Sequence, residues 1–115
     1  MEKHEFGLWA EEQACRFLEA RGMRVLERRV RFREGEIDVI CEGPDGRLLF
    51  VEVKGRRSAE FGDVVESLTT QKVRRTRRAI WRWREASGDR RPGRMAFLGL
   101  ELMPNKHLKF HFHDF

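Results

Sequence analysis

Residues 35–56 read GEIDVICEGPDGRLLFVEVKGR, and no other stretch constrains the fold as strongly. Two apolar, strand-length segments, EIDVICE and RLLFVEVK, flank GPDG, a strong turn signal. So short a connection predicts an antiparallel hairpin. Yet Glu36, Asp38, Glu52 and Lys54 lie inside these segments. Ionisable groups in a core are costly unless they pair with each other or with a metal ion.

Side chains on a strand alternate between its faces. Glu36, Asp38 and Ile40 are therefore expected on one face, opposite Ile37, Val39 and Cys41. On the next strand Leu48, Phe50, Glu52 and Lys54 are expected opposite Leu49, Val51 and Val53. Antiparallel pairing then brings Asp38 close to Glu52, with Lys54 beside them. Two neighbouring carboxylates raise each other's pKa unless a cation lies between them. Hard oxygen ligands with no His or Cys nearby favour Mg²⁺ or Mn²⁺ over zinc. Lys54 is placed to orient a water or to stabilise charge on a phosphate. The plainer alternative is a salt bridge at a sheet edge. The apolar neighbours Phe50, Val51 and Val53 weigh against it.

The rest of the chain supplies the frame. A helix is predicted over roughly 5–21, where Ala10, Ala14, Phe17 and Leu18 recur at helical spacing and Gly22 follows as a stop. MRVLERRVRF (23–32) alternates as a strand, and Arg33, Glu34 and Gly35 turn it into EIDVICE. RLLFVEVK is the most apolar strand and so the central one. The loop GRRSAEFGDVVESL carries Gly55 and Gly62, and is a segment able to close over a substrate. Thr69 or Thr70 caps a second helix running to about Ala86, with Ser87 and Gly88 as its stop. RMAFLGLEL and HLKFHFHDF are two further strands. The order is αβββαββ, one domain over residues 1–115 on length.

Glu11 neighbours Ala14, Cys15 and Leu18 on the first helix, so it faces the apolar side. Two readings stand: a charge complementing the helix dipole, or a third carboxylate reaching the same site. Composition adds a polyanion to the expected partners. The net charge is +5, and Lys72, Arg74, Arg75, Arg77, Arg78, Arg82 and Arg84 crowd the second helix, with Arg56 and Arg57 just after the third strand. Such groups give salt-dependent, sequence-independent affinity for phosphates. The alternative is a solvated helix face. Val73, Ile80 and Trp83 read as core. Gln71 and Lys72 read either as phosphate contacts or as an ordinary polar first turn. His111 and His113, beside Asp114 and in phase with His107, read as a polar strand face before a transition-metal site. Cys15 and Cys41 read as small buried hydrophobes in a reducing compartment. No apolar run reaches membrane-spanning length, and MEKHEFGLWAEEQ has acids where a secretory signal has an apolar core. A cytoplasmic protein with no membrane partner is expected.

With Asp38, Glu52 and Lys54 following an αβββ order, the pattern resembles the PD-(D/E)xK nuclease superfamily. That resemblance implies the α/β restriction-endonuclease-like fold, αβββαββ here, with a mixed central sheet flanked by helices. More closely, the chain is similar to the YraN family of small bacterial proteins, in GLWAEEQACRFL (7–18), GEIDVI (35–40), LFVEVKGR (49–56), FGDVVESLTTQK (61–72) and the closing strands. Two departures stand out. That family often has an asparagine near Arg29, and an aspartate in the fourth strand where Met95 and Ala96 stand here. The resemblance implies metal-dependent hydrolysis of DNA phosphodiesters, on branched or flapped DNA in repair or recombination. Asp38 and Glu52 would hold one or two Mg²⁺ or Mn²⁺ ions, with the Val53 carbonyl and Glu11 as further ligands and Glu36 supporting them. Lys54 would position the attacking water, and Gln71 and Lys72 would orient it or the substrate. Arg56, Arg57, Lys72, Arg74, Arg75 and Arg78 would bind the nucleic acid. Resolvases of this fold act as homodimers, and a homodimer is expected by that analogy. The alternative function is a nucleic-acid-binding protein that keeps the fold and depends on a partner for activity.

Overall fold

A computed structural model describes residues 1–58, 64 and 68–115. Its elements are α1 (Lys3–Ala20), β1 (Arg24–Phe32), β2 (Gly35–Glu42), β3 (Leu48–Arg57), α2 (Thr70–Ser87), β4 (Gly93–Leu102) and β5 (Leu108–Asp114). The αβββαββ order is as expected. The strands form one sheet in the order β1-β2-β3-β4-β5. All neighbours are antiparallel except β3 and β4, which run parallel because α2 carries the chain back between them. The sheet is therefore mixed, with β3 at its centre and a helix on each face. This layout is consistent with the restriction-endonuclease-like arrangement. Most of the loop expected to close over a substrate, with Gly62, lies outside the described residues.

Local chemistry sets the helix ends. Thr69, not Thr70, caps α2: its side chain accepts from the Lys72 N–H at 3.1 Å. Gly88 ends α2 in the left-handed region, its N–H donating to the Arg84 carbonyl at 2.9 Å. Each helix buries one stripe. Ala14, Cys15 and Leu18 of α1 pack on Val39, Cys41, Leu49, Val51, Ala96, Leu98 and Leu100. Ala79 and Trp83 of α2 pack on Ile37, Ile40, Leu48, Phe50 and Met95. Burying a large side chain of this kind stabilises by roughly 1.5–3 kcal/mol, so the two layers hold the sheet from both sides. Both cysteines are buried free thiols, as their apolar settings suggested. No described helix is long and apolar enough to cross a membrane.

One strand departs from simple alternation. Ile37 was expected on the face of Val39 and Cys41, but it packs with Ile40 and Phe50 under α2. Arg28 pairs with Val39 and Val30 with Ile37, and between them Arg29 takes φ 50, a left-handed conformation. That residue faces Asp38, and there β2 changes the side to which it turns. Gly35, the glycine of GEID, lies so close under α2 that a Cβ would overlap the Arg75 carbonyl.

Gly35→Ala is therefore expected to destabilise the protein by about 1–3 kcal/mol, the usual cost of overpacking. Gly7→Ala, in α1 with no atom within 4 Å of the added Cβ, is expected to stabilise by about 0.5–1 kcal/mol. Urea midpoints of the two variants check both signs.

Candidate active site

β2 and β3 pair from Glu42 and Leu48 as far as Val39 and Val51, and then part. β3 continues beside β4 to Arg57. The sheet thus forks at residues 38 and 52. Inside the fork the Val53 N–H donates to Asp38 Oδ2 at 2.7 Å. A side chain here takes the place of a backbone acceptor that the departing strand no longer offers. Burial pushes the Asp38 carboxyl up to about 6. The Val53 N–H and Arg31 oppose that rise, while Glu11 and Glu36 reinforce it.

Glu52 stands on the α2 side of β3. The Thr76 hydroxyl donates to the Lys72 carbonyl at 3.0 Å and lies 3.5 Å from Glu52 Oε2. Burial, then repulsion from Asp38, pushes the Glu52 carboxyl up to about 8, with Lys72 acting against them. A hollow of about 80 Å³ opens here, lined by Glu36, Glu52, Lys72, Arg75 and Thr76. The surrounding acids are held by guanidinium groups: Glu11 by Arg29 at 2.9 Å, Glu36 by Arg31 at 3.7 Å. Asp38 and Glu52 have no ion pair among the described residues.

Lys54 does not share the hollow of Glu52. It is exposed and borders a cleft of about 870 Å³ on the α1 side, together with Glu11, Arg31 and Val53. The reason is the fork: beyond Val51 the β2 edge of β3 is open, and Val53, Lys54 and Gly55 all border the cleft. Gly55 also lets α1 approach, since a Cβ there would come 2.6 Å from that of Ala10. Val53, whose carbonyl is expected as a ligand, also donates its N–H to Asp38.

The remaining candidates divide. Gln71, Lys72, Arg74, Arg75 and Arg78 are exposed on α2. Arg56 and Arg57 lie within β3 rather than after it. Arg56 is largely covered and pairs with Glu101 at 3.3 Å, so its charge is met within the fold. Arg57 stacks over Phe6 at 4.3 Å and donates to the Met1 carbonyl at 2.8 Å. His111 pairs with Glu101 at 2.8 Å, as part of a polar strand face. Two contributors escape sequence reasoning. Thr76 left a faint signal, a hydroxyl four residues after Lys72 within the stripe of Val73, Ile80 and Trp83. The left-handed Arg29 left none.

Among the described residues no three His, Cys, Asp or Glu side chains gather as a metal-ligating group. The half-buried pair alone fits a hard divalent cation: two carboxylates with raised pKa values and no ion pair among the described residues. Glu11 would join them only by exchanging Arg29.

The sequence model of the uncharacterised protein family UPF0102 matches residues 10–100. A UPF0102 protein of Mycobacterium sp. (strain JLS) is 51% identical over 78 residues, which cover 67% of this chain and 58% of that protein. One from Nitrosococcus oceani is 38% identical over 96 residues, covering 82% and 77%. The match thus spans under two thirds of the mycobacterial protein's length. Among solved structures, Pyrococcus furiosus SfsA in complex with Ca²⁺ aligns with 91% of this chain and 58% of that one, at 16% identity and a TM-score of 0.35. At that similarity nothing about its ligand transfers.

The raised Glu52 carboxyl has a consequence for stability. The folded protein holds the Glu52 proton more tightly than the unfolded chain, so this contribution is complete below about pH 4.5 and is lost as pH rises toward 8. Glu52→Gln removes the loss. In EDTA the variant is expected to be more stable than wild type at pH 8, by on the order of 2–4 kcal/mol, with the difference closing by pH 5. Denaturant titrations at the two pH values check this. Equal stability at pH 8 would mean that the carboxylate is solvated.

Proposed function

The chain belongs to the uncharacterised protein family UPF0102, and from that membership and the forked acid pair we propose that it is a metal-dependent nuclease of the PD-(D/E)xK kind, hydrolysing DNA phosphodiesters. The observation that carries the reading is the Asp38–Glu52 pair. Two carboxylates stand half-buried near each other, raised in pKa, and left without an ion pair among the described residues. A fold has little reason to keep such a pair for stability, because isolated buried charges cost far more than they return.

Asp38 and Glu52 would hold one or two Mg²⁺ or Mn²⁺ ions. When bound, such an ion polarises the phosphate and makes a hydroxide nucleophile available at neutral pH. The chain's own groups do the rest. The Val53 N–H fixes the orientation of Asp38. Thr76 borders Glu52 from α2. Lys54, exposed at the cleft, positions the attacking water and takes up negative charge developing on the phosphate. Lys72 and Arg75 at the hollow bind the flanking phosphate oxygens. The scissile group would seat at the fork, which opens on both faces of the sheet. Branched or flapped DNA is the substrate class that the resemblance implies, and a homodimer would suit a symmetric junction.

One observation favours a second reading, a nucleic-acid-binding protein whose site is completed by a partner. Glu11 is engaged by Arg29 rather than turned to the acid pair.

Cleavage of labelled single-stranded, duplex, flap and four-way-junction DNA separates the two. With Mn²⁺ or Mg²⁺ the wild type is expected to cut at least one member. EDTA should abolish cutting, and Glu52→Ala and Lys54→Ala should each lower it by at least about 100-fold. Salt-sensitive binding by the wild type with no cutting of any member would overturn the nuclease reading in favour of the second.

A further inference from the structure

The acid pair makes no use of Trp81, the most exposed aromatic side chain among the described residues, with 61% of its surface open. The core face of α2 is already furnished by Ala79 and Trp83, with Val73 and Ile80 beside them. Trp83 even satisfies its indole N–H on Glu27 at 2.5 Å. Packing therefore gives no account of Trp81.

Its surroundings do. Arg74, Arg77, Arg78 and Trp81 fall at i, i+3, i+4 and i+7, one exposed stripe of α2. None of the three guanidinium groups has an ion pair among the described residues. Two of the arginines flanking the stripe are engaged: Arg82 with Glu34 at 3.3 Å, and Arg84 with the Asp89 and Arg91 carbonyls at 3.2 and 2.8 Å. Beside Trp81 lies a hollow of about 410 Å³ with apolar walls from Phe50, Ile80 and Phe115, and with Arg77 at its rim. Phe115 is itself 46% exposed. An open hollow with apolar walls, an exposed indole and Arg77 at its rim is complementary to one common ligand chemistry, an aromatic base attached to a phosphate chain.

We propose that Trp81 and this hollow bind an unpaired nucleobase, with Arg74, Arg77 and Arg78 on the adjoining phosphates, so that the substrate carries a single-stranded segment. The inference rests on the nucleic-acid reading above and narrows its substrate. The slot is close to the acid pair. Phe50, one of its walls, is two residues before Glu52 on the same face of β3, about 7 Å along the strand. Trp81 lies about 8 Å along the helix axis from Thr76, which borders Glu52. A base stacked on Trp81 therefore belongs to a nucleotide near the one at the fork.

The test is binding in EDTA, where nothing is cut. Oligo(dT) is compared with an abasic oligonucleotide of the same length, which keeps the phosphates and lacks the bases. Trp81→Ala is expected to weaken oligo(dT) binding by about 10- to 100-fold and to leave abasic binding unchanged. Trp81→Phe should retain most of the oligo(dT) affinity and lose the fluorescence quenching that the wild type shows on binding. Arg77→Ala should weaken both ligands alike and flatten the salt dependence. The proposal is overturned if Trp81→Ala binds oligo(dT) as the wild type does, or loses both ligands equally. If the wild type binds duplex DNA and neither oligonucleotide, the single-stranded subsite is overturned and the nuclease reading stands. If it binds no DNA at all, both fall. Sedimentation of wild type and Trp81→Ala covers the other occupant: a wild-type dimer that the substitution dissociates, with no base-dependent loss, would make the patch a contact between two copies of the chain.

Discussion

The architecture around the site depends on the hydrogen bond from the Val53 N–H to Asp38 Oδ2. Where β2 leaves β3, a backbone amide in a largely buried setting loses its ladder partner. Leaving such a donor unmet costs about 1–3 kcal/mol. Asp38 meets it, and the carboxylate is thereby drawn into the fork instead of out to solvent. The same separation opens the edge of β3 beyond Val51, so that Lys54 borders the α1 cleft while Glu52 remains under α2. One side-chain-to-backbone contact thus sustains the gap in the sheet, the burial of an acid, and the division of the charged groups between the two faces.

Charge follows a consistent distribution around that fork. Several acids elsewhere are matched to arginines: Glu12 to Arg28, Glu11 to Arg29, Glu42 to Arg24 and Arg91, Glu101 to Arg56. Part of the arginine content is therefore structural, and the gross count of 24 Lys and Arg overstates the cations free to face a partner, although the net charge of +5 is unchanged by such pairing. The groups left over have a meaningful placement. Among the described residues without an ion pair are the two acids in the fork and three arginines on one stripe of α2. A polyanion lying along that stripe would pass close to the acid pair, which is the arrangement that the nuclease reading requires.

Much of this was legible in the residues. Turn chemistry at GPDG, the glycine after α2 and the helical spacing of Ala10, Ala14 and Leu18 act over a few positions, and each element formed where these signals put it. The proximity of Asp38 to Glu52 followed from hairpin pairing. Arg29 was not legible, because nothing in an alternating strand announces a left-handed residue. The asparagine that the resembling family often carries near this position would adopt that conformation at little cost, so the departure noted in the sequence sits close to where the backbone is unusual. Ile37, one position from the residue facing Arg29, is on the α2 side rather than with Val39 and Cys41. Arg56 read as a free cation because its partner, Glu101, arrives only with β4.

The sequence alone determined the order of the elements, the apolar faces of β3 and the helices, and the presence of acids within strands. These depend on periodicity and on turn and cap residues, whose influence is local. Tertiary structure decided where β2 and β3 part, which charges are neutralised, and on which side Lys54 emerges. Each of those outcomes depends on groups far apart in the chain meeting, or failing to meet, and on the low polarity that burial imposes once they do.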